Sequence, residues 1–556
     1  GPRAPATVTA AKEYRNVTRH AHREWDAKEF ADMARNMRRS PKKFWNKLKR
    51  GGQEAGLRDV DGWTDYFEDL LGRQGGGAPE GNPFGPPTAT ATARAKGLNR
   101  LFTYDEIMEA LMRMAGGKAP GVDGIPVEFY KHAQIPKPGG GDRAFEHVLL
   151  DPIVHRFNRV LQEGYPQAWR VGATTPVPKS KGSLDNRDDY RGITVGGTLA
   201  RLYSLVMLER LDKLAEDQGY RARGQAGFRR GRGTPDNAFI LNHVIERTKA
   251  DGQPLYAGFI DFRKAYDAVD REVLWKCLQR LGVHGEFLQS LQDMYCDGGM
   301  CVRIGGQVGR TFTTHRGVRQ GDPLSPLLFG LLIDTLENYL DEALPEVGVM
   351  MGVAERRRLL RLLLYADDLV LLATSREDLQ ALLDSLQAFC LARGLVVNVR
   401  KSEVVVFNPP AGGNGTFMFD GQPLPAVDEF TYLGMPFHAQ SGIGRAVDRS
   451  VTAGRRAMYA MLRRLHALKI NDVHMRCHLF DALVRPVINY GCEVWGPGVL
   501  GGDVRGGAGA SCMGGGMAPG GEAANKLHTQ FLRQALGIRG HGQQLAVLAM
   551  ETGRRP

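Results

Sequence analysis

Two adjacent acids interrupt the apolar run RLLRLLLYADDLVLLA at residues 358–373. Asp367 and Asp368 stand between the arms Leu362–Leu364 and Leu369–Leu372. Taking a carboxylate out of water is costly unless a metal or a partner offsets it. Two acids placed here therefore predict a β-hairpin that presents them to a cleft and to a divalent cation. Asp261 lies at the end of a second apolar run, Tyr256–Phe262. Three carboxylates on neighbouring strands of one sheet can hold two divalent ions about 3.5–4 Å apart, the arrangement used for in-line phosphoryl displacement. Hard oxygen ligands suit Mg²⁺. Taken alone, Asp261 also reads as a strand-end carboxylate capping the next helix.

Positioning such acids requires a sheet backed by helices. Strands are expected at Tyr256–Phe262, in the two hairpin arms, at Leu395–Val399 and at Val404–Phe407. Helical spacing runs through Val273–Leu281, Pro326–Leu340 and Glu377–Ala392, and Thr103 is placed to cap a further helix. Interleaved strands and helices make this a mixed α+β chain. Residues 10–50 read as basic and helical, with Trp25, Phe30, Phe44 and Trp45 as anchors. A second amphipathic stretch surrounds Trp63, Tyr66 and Phe67. Residues 72–99 read as a flexible linker, Pro136–Gly141 as a loop, and 499–521 as a Gly-rich disordered insertion.

The chain has 556 residues and a formal net charge of +12. The first 50 residues alone carry 14 basic and 5 acidic side chains. That imbalance points to a polyanionic partner, most often nucleic acid. The seven cysteines are scattered, without a C-x-x-C pair, which supports neither a disulfide framework nor a zinc site. No apolar run approaches transmembrane length, and no secretory signal is visible. A nuclear or cytoplasmic protein, neither secreted nor bound to membrane, is expected.

A series of blocks then follows in a fixed order: FTYDEIMEALMRMAGGKAPGVDGIP (102–126), TPVPKSKGSLDNRDDYRGITV (175–195), QAGFRRGRGTPDNAF (225–239), GFIDFRKAYDAVD (258–270), RGVRQGDPLSPLLF (316–329), YADD (365–368), GLVVNVRKSEVVVF (394–407) and FTYLGMPF (430–437). In content and order they resemble the reverse transcriptase of non-LTR, LINE-type retrotransposons. The resemblance implies a right-hand polymerase of fingers, palm and thumb, with a ferredoxin-like palm and a basic helical N-terminal extension. The domains expected from it are an extension over 1–71, the linker 72–99, fingers over 100–255, a palm over 256–440 with its 316–329 block at the fingers–palm junction, and a helical thumb and tail over 441–556.

The same resemblance implies roles. Asp261, Asp367 and Asp368 become the catalytic, metal-binding carboxylates for two Mg²⁺ ions, with Mn²⁺ as a possible substitute. One ion would lower the pKa of an attacking 3′-hydroxyl and the other would stabilise leaving pyrophosphate. Lys179 and Arg191 would grip the incoming triphosphate. The family often has Pro after that Arg, where this chain has Gly192. Tyr266 matches an aromatic gate against ribose, a position where Phe is more usual. Gln320 would contact nucleotide and template, and Lys401 would protonate pyrophosphate. Arg229, Arg230 and Arg232, near Arg221 and Phe228, are expected on template, and Tyr432, Leu433 and Gly434 at the primer. The expected partners are an RNA template, a DNA primer or target, and dNTPs. Related readings are a group II intron-type maturase polymerase and an inactive, domesticated RNA-binding protein.

Overall fold

The structure, a computed structural model, describes residues 45, 59–72, 82–136, 145–179, 183–352, 357–410, 415–468, 470, 472–500 and 519–536. Most of the expected N-terminal helix, the start of the linker and most of the Gly-rich insertion lie outside the described residues. The chain divides into two compact units, Gly56–Leu433 and a second made of Gly1–Ala55 with Gly434–Pro556. Among the described residues no helix is long and apolar enough to cross a membrane.

The elements that build the site all belong to the first unit. They are α1 (Val60–Leu71), β1 (Gly172–Pro178), β2 (Tyr190–Val195), α2 (Thr234–Ala250), β3 (Leu255–Ile260), β4 (Gly298–Ile304), β5 (Gln307–Thr314), α3 (Ser325–Ala343), β6 (Leu362–Tyr365), β7 (Asp368–Ala373), α4 (Arg376–Arg393) and β8 (Glu403–Phe407).

One four-stranded antiparallel sheet has the order β6-β7-β3-β8. Its strands, counted along the chain, lie in the order 2-3-1-4, and helices α3 and α4 complete the ferredoxin-like arrangement expected of a palm. Side chains alternate across it. Leu362, Leu364, Leu369, Leu371, Val404 and Val406 join one core with Leu332 and Leu336 of α3 and Leu383, Leu386 and Phe389 of α4. On the opposite face Phe259 stacks on Phe430 at 4.1 Å between ring centroids. Both faces are covered, so the strands read as continuous apolar runs rather than alternating ones. The expected strand at Leu395–Val399 does not form; Val397 makes an isolated bridge to Phe262, and Val399–Lys401 is a 3₁₀ turn.

A second sheet has the order β2-β1-β4-β5, with β1 and β4 parallel. It joins strands that precede β3 in the chain with strands that follow it, so residues from the expected fingers range 100–255 share a sheet with 298–314. Helix α1 covers this sheet. Asp59 caps it by accepting from Gly62 N at 2.9 Å. Val60, Trp63, Phe67 and Leu71 recur at helical spacing and bury against Met300, Val302, Ile304 and Phe312. Each such side chain stabilises the contact by roughly 1.5–3 kcal/mol. The end of the stretch expected to form an extension is thus a structural layer of the first unit. The linker is shorter than expected, because Ala89–Ala95 is helical and Ala95 and Leu98 enter the main core.

The second unit contains the helices Ala446–Ala467, Val473–Leu483 and Pro519–Leu536. They share a core of their own that includes Val451, Met458, Phe480 and Phe531, with Trp45 packed against it. Phe480 and Phe531 stack at 4.1 Å.

Candidate active site

The Asp-Asp turn is a two-residue reversal in which Tyr365 pairs with Asp368. Ala366 has a left-handed backbone, φ 58°. A non-glycine residue adopts that conformation only where the surroundings enforce it. Here the enforcement comes from Gln225. Its Oε1 accepts from Ala366 N at 2.9 Å and from Gly227 N at 2.8 Å. Its Nε2 donates to Asp334 of α3 at 3.0 Å, and Asp334 in turn accepts from Arg221 Nε at 2.6 Å. Asn237 of α2 donates to Leu364 O at 2.7 Å. Residues 224–227 therefore run as a brace along β6. Asp334 is committed to Arg221 and Gln225, and the spacing of Gln225, Asp334 and Asn237 in the sequence gives no sign that they act together.

Asp261 follows β3. One of its carboxylate oxygens accepts from Asn398 Nδ2 at 2.9 Å, and its backbone N donates to Ser402 Oγ at 3.1 Å. Burial, and then the Asp261 charge, raise the Asp367 carboxyl above its usual range. Asp368 reaches solvent at the edge of β7, yet it is pushed up to about 6 by burial and then by Asp367 and Asp261. Asp261 thus lies close enough to act on both acids of the turn, and among the described residues none of the three has a salt bridge. No group of three His, Cys, Asp or Glu side chains among the described residues forms a ready metal cage.

A cleft of about 730 Å³ opens beside them. Asp261, Asp367, Lys179, Arg191, Tyr266, Gln320 and Lys401 all line it. Lys179 is brought in by β1 and Arg191 by β2, where Val177 and Arg191 are cross-strand partners. Burial, and then Lys401 and Arg191, lower the Lys179 ammonium below its usual range. These cations are therefore held near one another against their repulsion, as a site for a multiply charged anion requires. The Tyr266 ring stacks on Phe329 of α3 at 4.9 Å, and its hydroxyl is buried without a hydrogen-bond partner. Gln320 Nε2 donates to Asp267 at 3.2 Å. Burial pushes Asp267 up to about 6, against the opposing pull of Lys264 and of that hydrogen bond.

Gly192 has a local reason. A Cβ there would lie 2.7 Å from Phe67 Cε1 and 3.0 Å from Thr174 Cγ2. The α1 helix thus presses on the strand that carries Arg191, and only a residue without a side chain fits. Gly192→Ala is expected to destabilise the protein by about 1–3 kcal/mol through overpacking. Phe67→Leu should recover part of that loss in a double-mutant cycle read by urea unfolding; additive effects would show that the two residues do not press on each other.

Several expected nucleic-acid contacts are not where motif position puts them. Arg221 is buried in its pair with Asp334. Arg229 is mostly buried, donating to Glu216 Oε1 and Ala222 O at 2.8 and 2.9 Å. Both serve the fold, because burying a guanidinium requires partners and these are protein groups. Arg230 is exposed but paired with Glu209 and Asp212. Arg232 is exposed and donates a long bond to Arg223 O. Phe228 is 58% exposed and lines the cleft. Tyr432 is buried beside Asn237 and Phe259 as a core residue, while Leu433 and Gly434 form a left-handed turn with φ 47° and 81°.

Residues 177–437 match the family model described as reverse transcriptase (RNA-dependent DNA polymerase). Those residues are a reverse transcriptase domain, and the relatives they resemble are non-LTR retrotransposon proteins. The chain is similar to the Pol polyprotein from the R2 element of Popillia japonica, with 30% identity over 57% of this chain and 42% of that one. A second relative is the Pol polyprotein from R2DM of Drosophila melanogaster, with 30% identity over 49% of this chain and 26% of that one. The chain spans less than half the length of either. Among solved structures, telomerase from Candida albicans aligns at a TM-score of 0.41 and 11% identity, over 69% of this chain and 65% of that one. The reverse transcriptase match begins within β1 and ends just beyond Gly434, so it contains the cleft acids and cations but not α1.

Proposed function

We propose that this reverse transcriptase domain is an RNA-directed DNA polymerase that extends a DNA primer along an RNA template with dNTPs. In its element the primer would be the nicked target strand. The observation that carries the reading is one cleft in which the acids Asp261 and Asp367 face the cations Lys179, Arg191 and Lys401. Acids alone would suit many metal enzymes; acids opposite clustered cations suit a substrate with several phosphates.

The acids fit divalent metal, since they are oxygen ligands that form no salt bridge among the described residues. Asp261, Asp367 and Asp368 would hold Mg²⁺, or Mn²⁺ in its place, which supplies positive charge to acidify the 3′-hydroxyl and offset charge on the departing pyrophosphate. Lys179 and Arg191 bind and orient the triphosphate. Arg191 offers a planar fork to phosphate oxygens and Lys179 a compact charge. Lys401 holds a proton that it can deliver to the pyrophosphate oxygen. Asn398 orients Asp261, and Gln225 holds the turn that carries Asp367.

Tyr266 walls the cleft beside Asp261 and would exclude a ribose 2′-hydroxyl. Tyr266→Ala is expected to raise ribonucleotide incorporation relative to deoxynucleotide by about ten-fold or more, since a steric wall is worth a few kcal/mol. Tyr266→Phe should keep the selectivity and gain about 1 kcal/mol of stability by removing an unpaired buried hydroxyl. Competition between dTTP and UTP on one primer reads the ratio; an unchanged ratio in Tyr266→Ala rejects the gate. The polymerase reading itself is tested by dTTP incorporation on poly(rA)/oligo(dT).

A further inference from the structure

Lys264 also lines the cleft, three residues after Asp261, and no motif position assigns it a role. Its Nζ donates to Tyr66 Oη at 2.8 Å and to Asp188 Oδ1 at 2.6 Å. Tyr66 Oη in turn donates to Asp188 Oδ1 at 2.8 Å. The ammonium also lies 4.9 Å from the centre of the Tyr66 ring. Asp188 belongs to the loop just before Arg191, and its carbonyl accepts from Lys179 Nζ at 2.8 Å. One point thus ties α1, the loop carrying the triphosphate grip, and the chain leaving β3.

An ordinary surface ion pair does not account for this arrangement. Asp188 is 57% exposed, and half-exposed pairs contribute little to stability. Lys264 has a left-handed backbone, φ 50°, which a long side chain adopts at a cost. It also stands close enough to Lys179 to repel it, together with Lys401 and Arg191. Lys264 thus stands among the cations that line the cleft with Lys179, Arg191 and Lys401, and a polyphosphate there would offer its ammonium more charge than the half-exposed Asp188 does.

We propose that Lys264 is a further triphosphate-binding cation, and that Tyr66 of α1 is the residue that positions it. The inference rests on the polymerase reading of the cleft. In the nucleotide-free protein Asp188 and Tyr66 hold the ammonium; a triphosphate takes it from Asp188 while the Tyr66 oxygen still accepts from it.

The test combines steady-state dTTP incorporation on poly(rA)/oligo(dT) with inhibition by inorganic tripolyphosphate, which has the charges without base or sugar. Lys264→Gln is expected to raise KM for dTTP and the inhibition constant for tripolyphosphate together by about ten-fold, with kcat little changed, the scale of one charge-assisted contact. Lys264→Arg should restore most of both. Tyr66→Phe, which removes one oxygen, should raise both by about three-fold, the scale of one neutral hydrogen bond. A purely structural role would lower the melting temperature and kcat and leave both constants in place. Unchanged KM and unchanged inhibition in Lys264→Gln overturn the inference while wild-type incorporation keeps the polymerase reading. If Lys264→Gln does not fold, unchanged constants in Tyr66→Phe overturn it equally. If the wild type incorporates nothing, the polymerase reading fails, and calorimetric binding of tripolyphosphate to wild type and Lys264→Gln still decides the role of Lys264.

Discussion

Asp367→Asn is expected to abolish dTTP incorporation on poly(rA)/oligo(dT), a loss of about a thousand-fold or more, the scale of several kcal/mol of charge stabilisation at a phosphoryl centre. The variant should still fold. Burial and the Asp261 charge raise the Asp367 carboxyl in the folded state. A group raised in this way contributes stability below its unfolded pKa and loses it as pH rises through the folded one. At neutral pH the ionised side chain is therefore a burden on the metal-free fold, and an amide relieves it. Asp367→Asn should melt at or above the wild-type temperature without metal. Retained incorporation would remove Asp367 from the chemistry; lost incorporation with a lowered melting temperature would place its effect in the fold.

Gly227→Ala is expected to damage the same turn from behind. An added Cβ would run into Ala366 N and lie 2.9 Å from Tyr365 C and from Gln225 Oε1. None of these atoms yields easily: two belong to the backbone of the turn, and the third is the oxygen that pins it. A stability loss of about 3 kcal/mol, at the upper end of ordinary overpacking, is expected in urea unfolding. Incorporation by the folded fraction should fall about a hundred-fold, the effect of misplacing a reacting group by an ångström. Gly97→Ala serves as the comparison, because a Cβ there meets nothing within 4 Å. Equal behaviour of the two variants would contradict the brace assigned to residues 224–227.

Asp367 is legible in the sequence, whereas the brace behind it is not. The acids at 261, 367 and 368 stand out because charge inside an apolar run has few physical explanations. The strands around them stand out for the same reason, and their order in the sheet matches the expected palm. The brace was hidden because Gln225, Asp334 and Asn237 are ordinary polar residues whose partners lie over a hundred positions away. The arginines near Phe228 misled because a basic cluster looks alike whether its charges face water or buried acids. Arg221 and Arg229 became structural only through partners that spacing does not reveal. Helix α1 belongs to the first unit because Val60, Trp63, Phe67 and Leu71 meet a sheet more than a hundred positions away, which local spacing does not reveal. Gly192 was noted as a departure from the family, but its cause is a Phe67 ring 125 positions earlier.

The account is tested most directly by primer extension with the wild-type chain, an RNA template, an annealed DNA primer, four dNTPs and Mg²⁺. It predicts cDNA that grows from the primer 3′ end to the template end and is lost when EDTA is added. Failure of the folded chain to extend the primer, with either Mg²⁺ or Mn²⁺, would contradict it.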